Sequence, residues 1–264
     1  MSRFSRRGWR IGLTLALLLG ALAIALLRGD IGSPPAGPPE SVFPYGELRV
    51  GIDPSYPPFA VDNAGELSGL EVDLARALGD ELGIAVRFVP LGYDGLYDAL
   101  RVDSVDVLIS ALLIDPARRN DVLYTRPYFD AGLMLVSPAG SPYGDMTLIP
   151  GHTLAYEFGS AADAEARRWL RRVHPFERQP YELGQYALDA VRLGDADAAL
   201  VDAITTRLYL RSHPDWSAQA FYVTDTSYAM AVRSDRGAVW SVLNNALETL
   251  AYDGRLDALI ARWL

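Results

Sequence analysis

From Glu47 to the C-terminus, short apolar runs alternate with segments of helical periodicity, which restricts the chain to an α/β architecture. Leu48, Val50 and Ile52 alternate as a strand. Leu70, Leu74, Ala77, Leu78 and Leu82 recur at helical spacing, and Gly83 is placed for a C-terminal cap. Further strands are predicted over 85–89, 105–109 and 131–136, with a helix over 94–100. A second series has strands over 153–157, 197–201, 221–223 and 228–232. Its helices cover 161–170, 181–193, 203–211 and 239–250, and a last helix closes at Trp263-Leu264. This order implies largely parallel sheets with helices on both faces.

The first residues are of another kind. Arg3, Arg6, Arg7 and Arg10 precede an uninterrupted apolar run of 17 residues, Ile11–Leu27. That length just spans a bilayer and exceeds a usual signal-peptide core. Ala21-Leu-Ala23 lies inside the run and Arg28 follows it, so no clean cleavage site stands out. Residues 1–28 therefore read as an uncleaved signal-anchor helix or a cleaved signal peptide, with everything after them outside the cytoplasm. Residues 29–45 carry Pro34, Pro35, Pro38, Pro39 and Pro44 and read as a semi-rigid spacer.

Composition removes several functions. All 24 basic residues are Arg, which excludes Schiff-base chemistry and a P-loop Lys. With no Cys there is no disulfide, thiolate metal site, Cys nucleophile or lipidated Cys. His152, His174 and His213 are scattered without metal-ligand spacing, so no metal and no cofactor is expected. The net charge is −9 although residues 1–30 hold five Arg and one Asp, leaving an acidic body unsuited to nucleic acid or anionic membrane surfaces.

Residues with candidate binding chemistry follow the predicted strands, where open α/β sheets place their ligands. Asp53, Tyr56 and Phe59 follow the first strand, and Tyr93 the second. Ser110 and Arg118 follow the third. Gly159 and Ser160 follow the strand over 153–157, and Asp202 the strand over 197–201. Asp115-Pro116 reads as a helix start, with Asp at the N-cap and Pro at the first position. Arg118 then stands in the first turn, beside the positive end of a helix dipole, where an anion would offset its charge. A fixed cation at Arg118 and a fixed anion at Asp202, with Tyr56 and Tyr93 as walls, suit a zwitterion such as an α-amino acid. Ordinary roles compete: Arg118 as a surface ion-pair partner, Asp202 as the N-cap of the helix it opens, and the tyrosines as core aromatics.

The segment Leu48-Arg-Val-Gly-Ile-Asp-Pro-Ser-Tyr-Pro-Pro-Phe59 resembles the opening of the family 3 solute-binding proteins, the polar amino-acid receptors of ABC importers. Leu67-Ser-Gly-Leu-Glu-Val-Asp-Leu-Ala75, Ser110 through Arg118 and Asp197-Ala-Ala-Leu-Val-Asp202 are similar to it as well, as is Tyr228-Ala-Met-Ala-Val-Arg233. The resemblance implies a two-lobed periplasmic-binding-protein-like (type II) α/β fold with a hinge. Lobe one would span 46–134 plus 226–264 and lobe two 139–222, with crossings near 135–138 and 223–227. It implies that Arg118 binds the ligand carboxylate with help from Ser110. Amides near Gly159 and Ser160 would close from the other lobe, and Asp202 would take the α-amino group. Tyr56 and Tyr93 would form the walls.

Ala111, Leu112 and Leu113 depart from the small hydroxyl residues common in the family, so either the pocket is more apolar or backbone amides do that work. Asp53 and Glu157 could read a cationic side chain. The expected protein is an extracytoplasmic, monomeric receptor that delivers its ligand to an ABC permease and is not an enzyme. Two alternatives stay open: a cyclohexadienyl-type dehydratase on the same fold, disfavoured because Thr205 stands where its acid would be, and a ligand-sensing accessory protein without transport.

Overall fold

The structure is a computed structural model that describes residues 42–264. The expected N-terminal signal or anchor helix and most of the spacer lie outside the described residues. The spacer's last part is not a free linker: Phe43 is fully buried and Val42 nearly so.

The first part of the chain builds β1 (Glu47–Ile52), the short strands β2 (Ser55–Tyr56), β3 (Ala60–Asn63) and β4 (Glu66–Ser68), and α1 (Leu70–Leu82). β5 (Ala85–Pro90), α2 (Leu96–Arg101), β6 (Val107–Leu108) and β7 (Val122–Asp130) follow. α1 buries Leu70, Leu74 and Leu78, one residue per turn on one face, and Gly83 ends it in the left-handed conformation with φ 67°. Gly69, just ahead of it, has φ 133°, and a Cβ there would meet the Phe59 carbonyl oxygen at 2.2 Å.

β8 (Leu133–Pro138), β9 (Thr153–Glu157), α3 (Ala161–Trp169), β10 (Glu177–Tyr181) and α4 (Gly184–Leu193) come next. β11 (Ala198–Asp202), α5 (Ala203–Ser212) and β12 (Ala218–Tyr222) follow, and then β13 (Ser227–Arg233), α6 (Gly237–Tyr252) and α7 (Arg255–Trp263) close the chain.

Two five-stranded sheets result, ordered β5-β1-β6-β13-β7 and β10-β9-β11-β8-β12. The core strands β5-β1-β6 and β10-β9-β11 are parallel, as expected. The remaining pairings are antiparallel because one strand in each sheet, β13 and β8, runs against its neighbours, which the sequence reading did not anticipate. The cause is the chain's double crossing: β7 and β12 leave their sheets toward the other sheet, while β8 and β13 arrive from it. Apolar clusters fill both faces of the second sheet, one around Leu135, Leu154 and Leu200, the other around Val136, Leu188 and Val201.

The crossing lies earlier than the 135–138 expected. Leu133–Pro138 already pairs with β11 and β12, so the chain passes between sheets at Ala131-Gly132 and returns through Val223–Thr226. The two passages are bonded to each other. Ala131 donates its amide to the Thr226 carbonyl at 2.8 Å, and Asp130 Oδ1 accepts from the amides of Gly132 (2.8 Å) and Thr226 (3.0 Å). A Cβ at position 132 would lie 1.9 Å from the Thr224 carbonyl oxygen, so only glycine lets the passages approach this closely.

Candidate ligand-binding site

β1 and β6 are parallel neighbours, in register at Gly51 and Leu108, so their carboxyl ends emerge side by side. Asp53 and Ser110 follow these ends. The Asp53 amide donates to Ser110 Oγ at 3.0 Å, and Asp53 Oδ1 accepts from the Ser55 amide at 3.1 Å. Both residues are buried apart from the faces they turn to a cavity of about 290 Å³. Its other walls are Ser55, Tyr56, Tyr93, Ala111, Leu113 and Tyr228. One carboxylate, three tyrosines and two serines therefore converge on it, and no cation stands among the walls.

The aromatic wall is backed from below. The Tyr56 ring stacks on Phe59 with centroids 5.4 Å apart, and Phe59 meets Phe129 and Tyr228 edge-on at 5.3 and 5.4 Å. Phe59 is fully buried, so it carries the wall and does not face the cavity, contrary to its expected direct role. Burial first, and then the neighbouring Tyr56 hydroxyl, pushes the Tyr228 hydroxyl far above its ordinary pKa; Asp202 adds to that push. The Asp202 carboxylate, at the end of the second sheet's β11, is thus felt at this phenol on the first sheet.

The cavity floor is the segment Ser110-Ala111. Ala111 is left-handed, with φ 45°. Its amide donates to the Glu71 carboxylate at 2.5 Å and to the Tyr128 hydroxyl at 3.2 Å, and that hydroxyl donates to the same Glu71 oxygen.

The other expected site residues are placed differently. Leu112 is fully buried in the core of the first sheet, and Leu113 faces the cavity instead. Pro116–Arg118 is a single 3-10 turn, capped by Asp115 with Pro at its first position as the sequence predicts, but it does not continue as a helix. A one-turn segment has little macrodipole, which removes the reason given for an anion there. The Arg118 guanidinium lies 3.9 Å from the Tyr97 ring centroid, with its Nε 3.6 Å from Asp115. It lines a separate groove with Tyr97, Asp121 and Arg233.

Asp202 caps α5, accepting the Thr205 amide at 2.8 Å. Ser160 caps α3: its hydroxyl donates to the Glu157 carbonyl and accepts from the amides of Ala162 and Asp163. The Gly159 amide donates to Asp163 at 3.1 Å. The Glu157 carboxylate accepts the Gly184 amide at the start of α4, so it is engaged in holding that helix. Asp53, Tyr56, Tyr93 and Ser110 are therefore brought together at one cavity, and Arg118, Asp202, Gly159, Ser160, Leu112 and Phe59 are not among its walls.

The sequence reading missed Ser55, Tyr228 and Glu71, and named Leu113 only as a departure from the family pattern. Tyr228 could have been found from the order of the sheet, since β13 lies beside β6 and Tyr228 bridges to Leu113. Among the described residues, no group of three or more His, Asp or Glu is arranged to hold a metal ion, and no helix is long and apolar enough to cross a membrane.

Two α/β sheets joined by paired crossings, with a small cavity at the strand ends, define a bilobed binding protein. Residues 48–264 match the model of the bacterial extracellular solute-binding proteins, family 3, and the chain belongs to that family. It is 27% identical over 223 residues to the putative ABC transporter arginine-binding protein 2 of Escherichia coli (strain K12), covering 82% of this chain and 90% of that protein. It is 27% identical over 254 residues to the L-cystine-binding protein TcyJ of the same organism, covering 93% of this chain and 94% of that protein. The fold matches the unliganded open crystal structure of the L-cystine solute receptor of Neisseria gonorrhoeae, with a TM-score of 0.72, 23% identity and coverage of 85% and 94% of the two chains. The protein is an extracytoplasmic solute-binding protein of an ABC importer, and not an enzyme.

Proposed function

We propose that this receptor captures an α-amino acid with a cationic side chain, L-arginine being the first ligand to test. The observation that carries the reading is the Asp53 carboxylate, set in a tyrosine-lined cavity with no cation among its walls. A guanidinium lying between Tyr56 and Tyr93 would pair with Asp53 and stack on the exposed rings. The arginine-binding relative in Escherichia coli supports the same ligand class. In this reading the ligand's α-ammonium goes to Asp202 and its α-carboxylate to Arg118, which swings from Tyr97 toward the cavity. Gly159 and Ser160 border the ligand from the second lobe.

The lobes are residues 46–130 with 227–264, and 133–222. Closure about the bonded crossings at Ala131-Gly132 and Val223–Thr226 brings Asp202 over the cavity, and the ligand stabilises the closed form by bridging both lobes. The closed, monomeric receptor then delivers its ligand to an ABC permease. Residues 1–28 direct export and, if retained, tether the receptor to the membrane.

Calorimetry of the full chain against L-arginine, L-lysine, L-glutamine and L-cystine tests this. L-arginine should bind most tightly. Arg118→Ala removes one partner of a desolvated ion pair and should weaken binding by roughly thirtyfold to several thousandfold. Tighter binding of L-glutamine than of L-arginine, or an affinity for L-arginine untouched by Asp53→Asn, would sink the cationic reading.

A further inference from the structure

Beneath the cavity lies a carboxyl group to which ligand capture assigns no role. Glu71 is the second residue of α1 and only 1% exposed. Its backbone amide donates to the Phe59 carbonyl at 2.9 Å, tying the helix to the turn that carries Tyr56. Its side chain accepts from the Ala111 amide, on the opposite border of the cavity. One residue thus links the aromatic wall to the floor.

We propose that Glu71 is a positioning residue of the ligand pocket, one that holds the Ser110-Ala111 floor from beneath and releases its proton when a cationic group is taken up over Asp53.

The first half rests on the backbone at Ala111. Its φ of 45° is one that a residue with a Cβ rarely adopts unless something holds it. Two bonds do so, from the Ala111 amide to Glu71 and to the Tyr128 hydroxyl. Without them the amide would be left unpaired and the floor free to relax toward ordinary backbone.

The second half rests on the charges around Glu71. The Tyr128 hydroxyl from β7 is hydrogen-bonded to it, and the groups whose charge it feels or perturbs are the Asp53 carboxylate beyond the end of β1 and the Tyr228 hydroxyl from β13. No Arg pairs with it among the described residues. Burial pushes the Glu71 carboxyl up to about 7 and the Asp53 charge adds to the rise, while the bonds from Tyr128 and Ala111 oppose it. Both bonds end on Oε1, which leaves Oε2 to carry the proton. A cation seated on Asp53 would cancel the Asp53 contribution to that rise, which is smaller than that of burial, and so favour loss of the proton. Capture and proton loss are then linked, each favouring the other. This half depends on the proposed cationic ligand; the first half does not.

Nuclear magnetic resonance of the 15N-labelled full chain tests the first half without any ligand. Between pH 5 and 9 the Ala111 amide should move in one step centred near pH 7. The step should vanish in Glu71→Gln. It should shift to higher pH in Tyr128→Phe, which loses a bond that favours the charged carboxylate. A purely structural contact would produce no such shift. An Ala111 amide that stays still, or a step that persists in Glu71→Gln, overturns the assignment.

L-arginine is the probe for the second half, by calorimetry at pH 7 in two buffers of different ionisation heat. Binding should release protons in the wild type and none in Glu71→Gln, and should tighten from pH 6 to pH 8 in the wild type but not in Glu71→Gln. Proton uptake, or equal release by both proteins, overturns the coupling. A protein whose Ala111 amide titrates but which takes up no L-arginine upholds the positioning role and overturns the coupling together with the cationic ligand.

Discussion

The Asp53 amide donates to Ser110 Oγ at 3.0 Å, so two cavity residues 57 positions apart in sequence share one buried hydrogen bond. This bond fixes the spacing of the β1 and β6 ends, and with it the position of the Asp53 carboxylate. Ser110→Ala leaves that amide without an acceptor, which costs about 1–3 kcal/mol. Urea unfolding at neutral pH should show this loss, and Ser110→Cys, whose sulfur is a weak acceptor, should fall between alanine and wild type.

Arg49 and Asp106 form a buried two-pronged pair under the first sheet. Arg49 Nη2 lies 2.7 Å from Asp106 Oδ1, its Nε lies 3.0 Å from Oδ2, and the Arg49 amide donates to Oδ2 at 2.9 Å. Without Asp106 the buried Arg49 keeps only the Asp103 carbonyl at 2.6 Å and the Asp103 carboxylate at 3.7 Å, so Asp106→Ala should cost about 3 kcal/mol. Replacing both, as in R49M with D106L, should recover a large part of it. A double variant as unstable as Asp106→Ala would show that the hydrogen bonds outweigh the stranded charge.

Phe59 is fully buried against Tyr56, Phe129 and Tyr228. Phe59→Ala opens a hole beneath the cavity wall and should cost about 3–5 kcal/mol, with Phe59→Leu well below that. Chemical unfolding monitored by tyrosine and tryptophan fluorescence measures both.

The raised Glu71 carboxyl makes stability depend on pH. Below about 4.5, its ordinary value, folded and unfolded chains both hold the proton and the group's contribution is full. As pH rises the unfolded chain ionises first, and the contribution is lost through about 7. The loss is on the order of 3 kcal/mol by the standard conversion of a shift in proton affinity. Glu71→Gln has no such group, so its stability relative to wild type should climb between pH 4.5 and 7. A gap between the two proteins that is constant across this window would refute the titration.

The fold is legible where local pattern and tertiary role agree. α1 is read from Leu70, Leu74 and Leu78 because the stripe that repeats is the stripe that is buried. β7 escapes because Arg126-Pro127 interrupts its apolar residues, and β10 because Glu-Arg-Gln-Pro-Tyr is polar throughout, as an edge strand with little to bury can be. The one reversed strand in each sheet, β13 and β8, is invisible to local pattern, since its direction depends on which strands cross over.

The site divides along the same line. Asp53, Ser110, Tyr56 and Tyr93 reach the cavity because they follow the carboxyl ends of β1, β6 and β5, where open α/β sheets place their crevice. Arg118 is placed elsewhere, over the Tyr97 ring and in a separate groove, because its segment is a single 3-10 turn and not the helix the sequence pattern predicts. Leu112 and Leu113 exchange roles because one residue beyond a strand decides core or cavity. Glu71 is hidden because an acid in a helix's first turn reads as a favourable surface charge.

β13 sits between β6 and β7, inside the first sheet, and α6 and α7 pack against α1. The ribosome therefore releases every strand of the second sheet before it supplies the piece that joins β6 to β7. Until Ser227–Arg233 emerges, the first sheet is split in two and the Tyr228 wall of the cavity does not exist. A nascent chain of this design remains incomplete over most of its synthesis, a state suited to a polypeptide that must be threaded through a membrane before it folds.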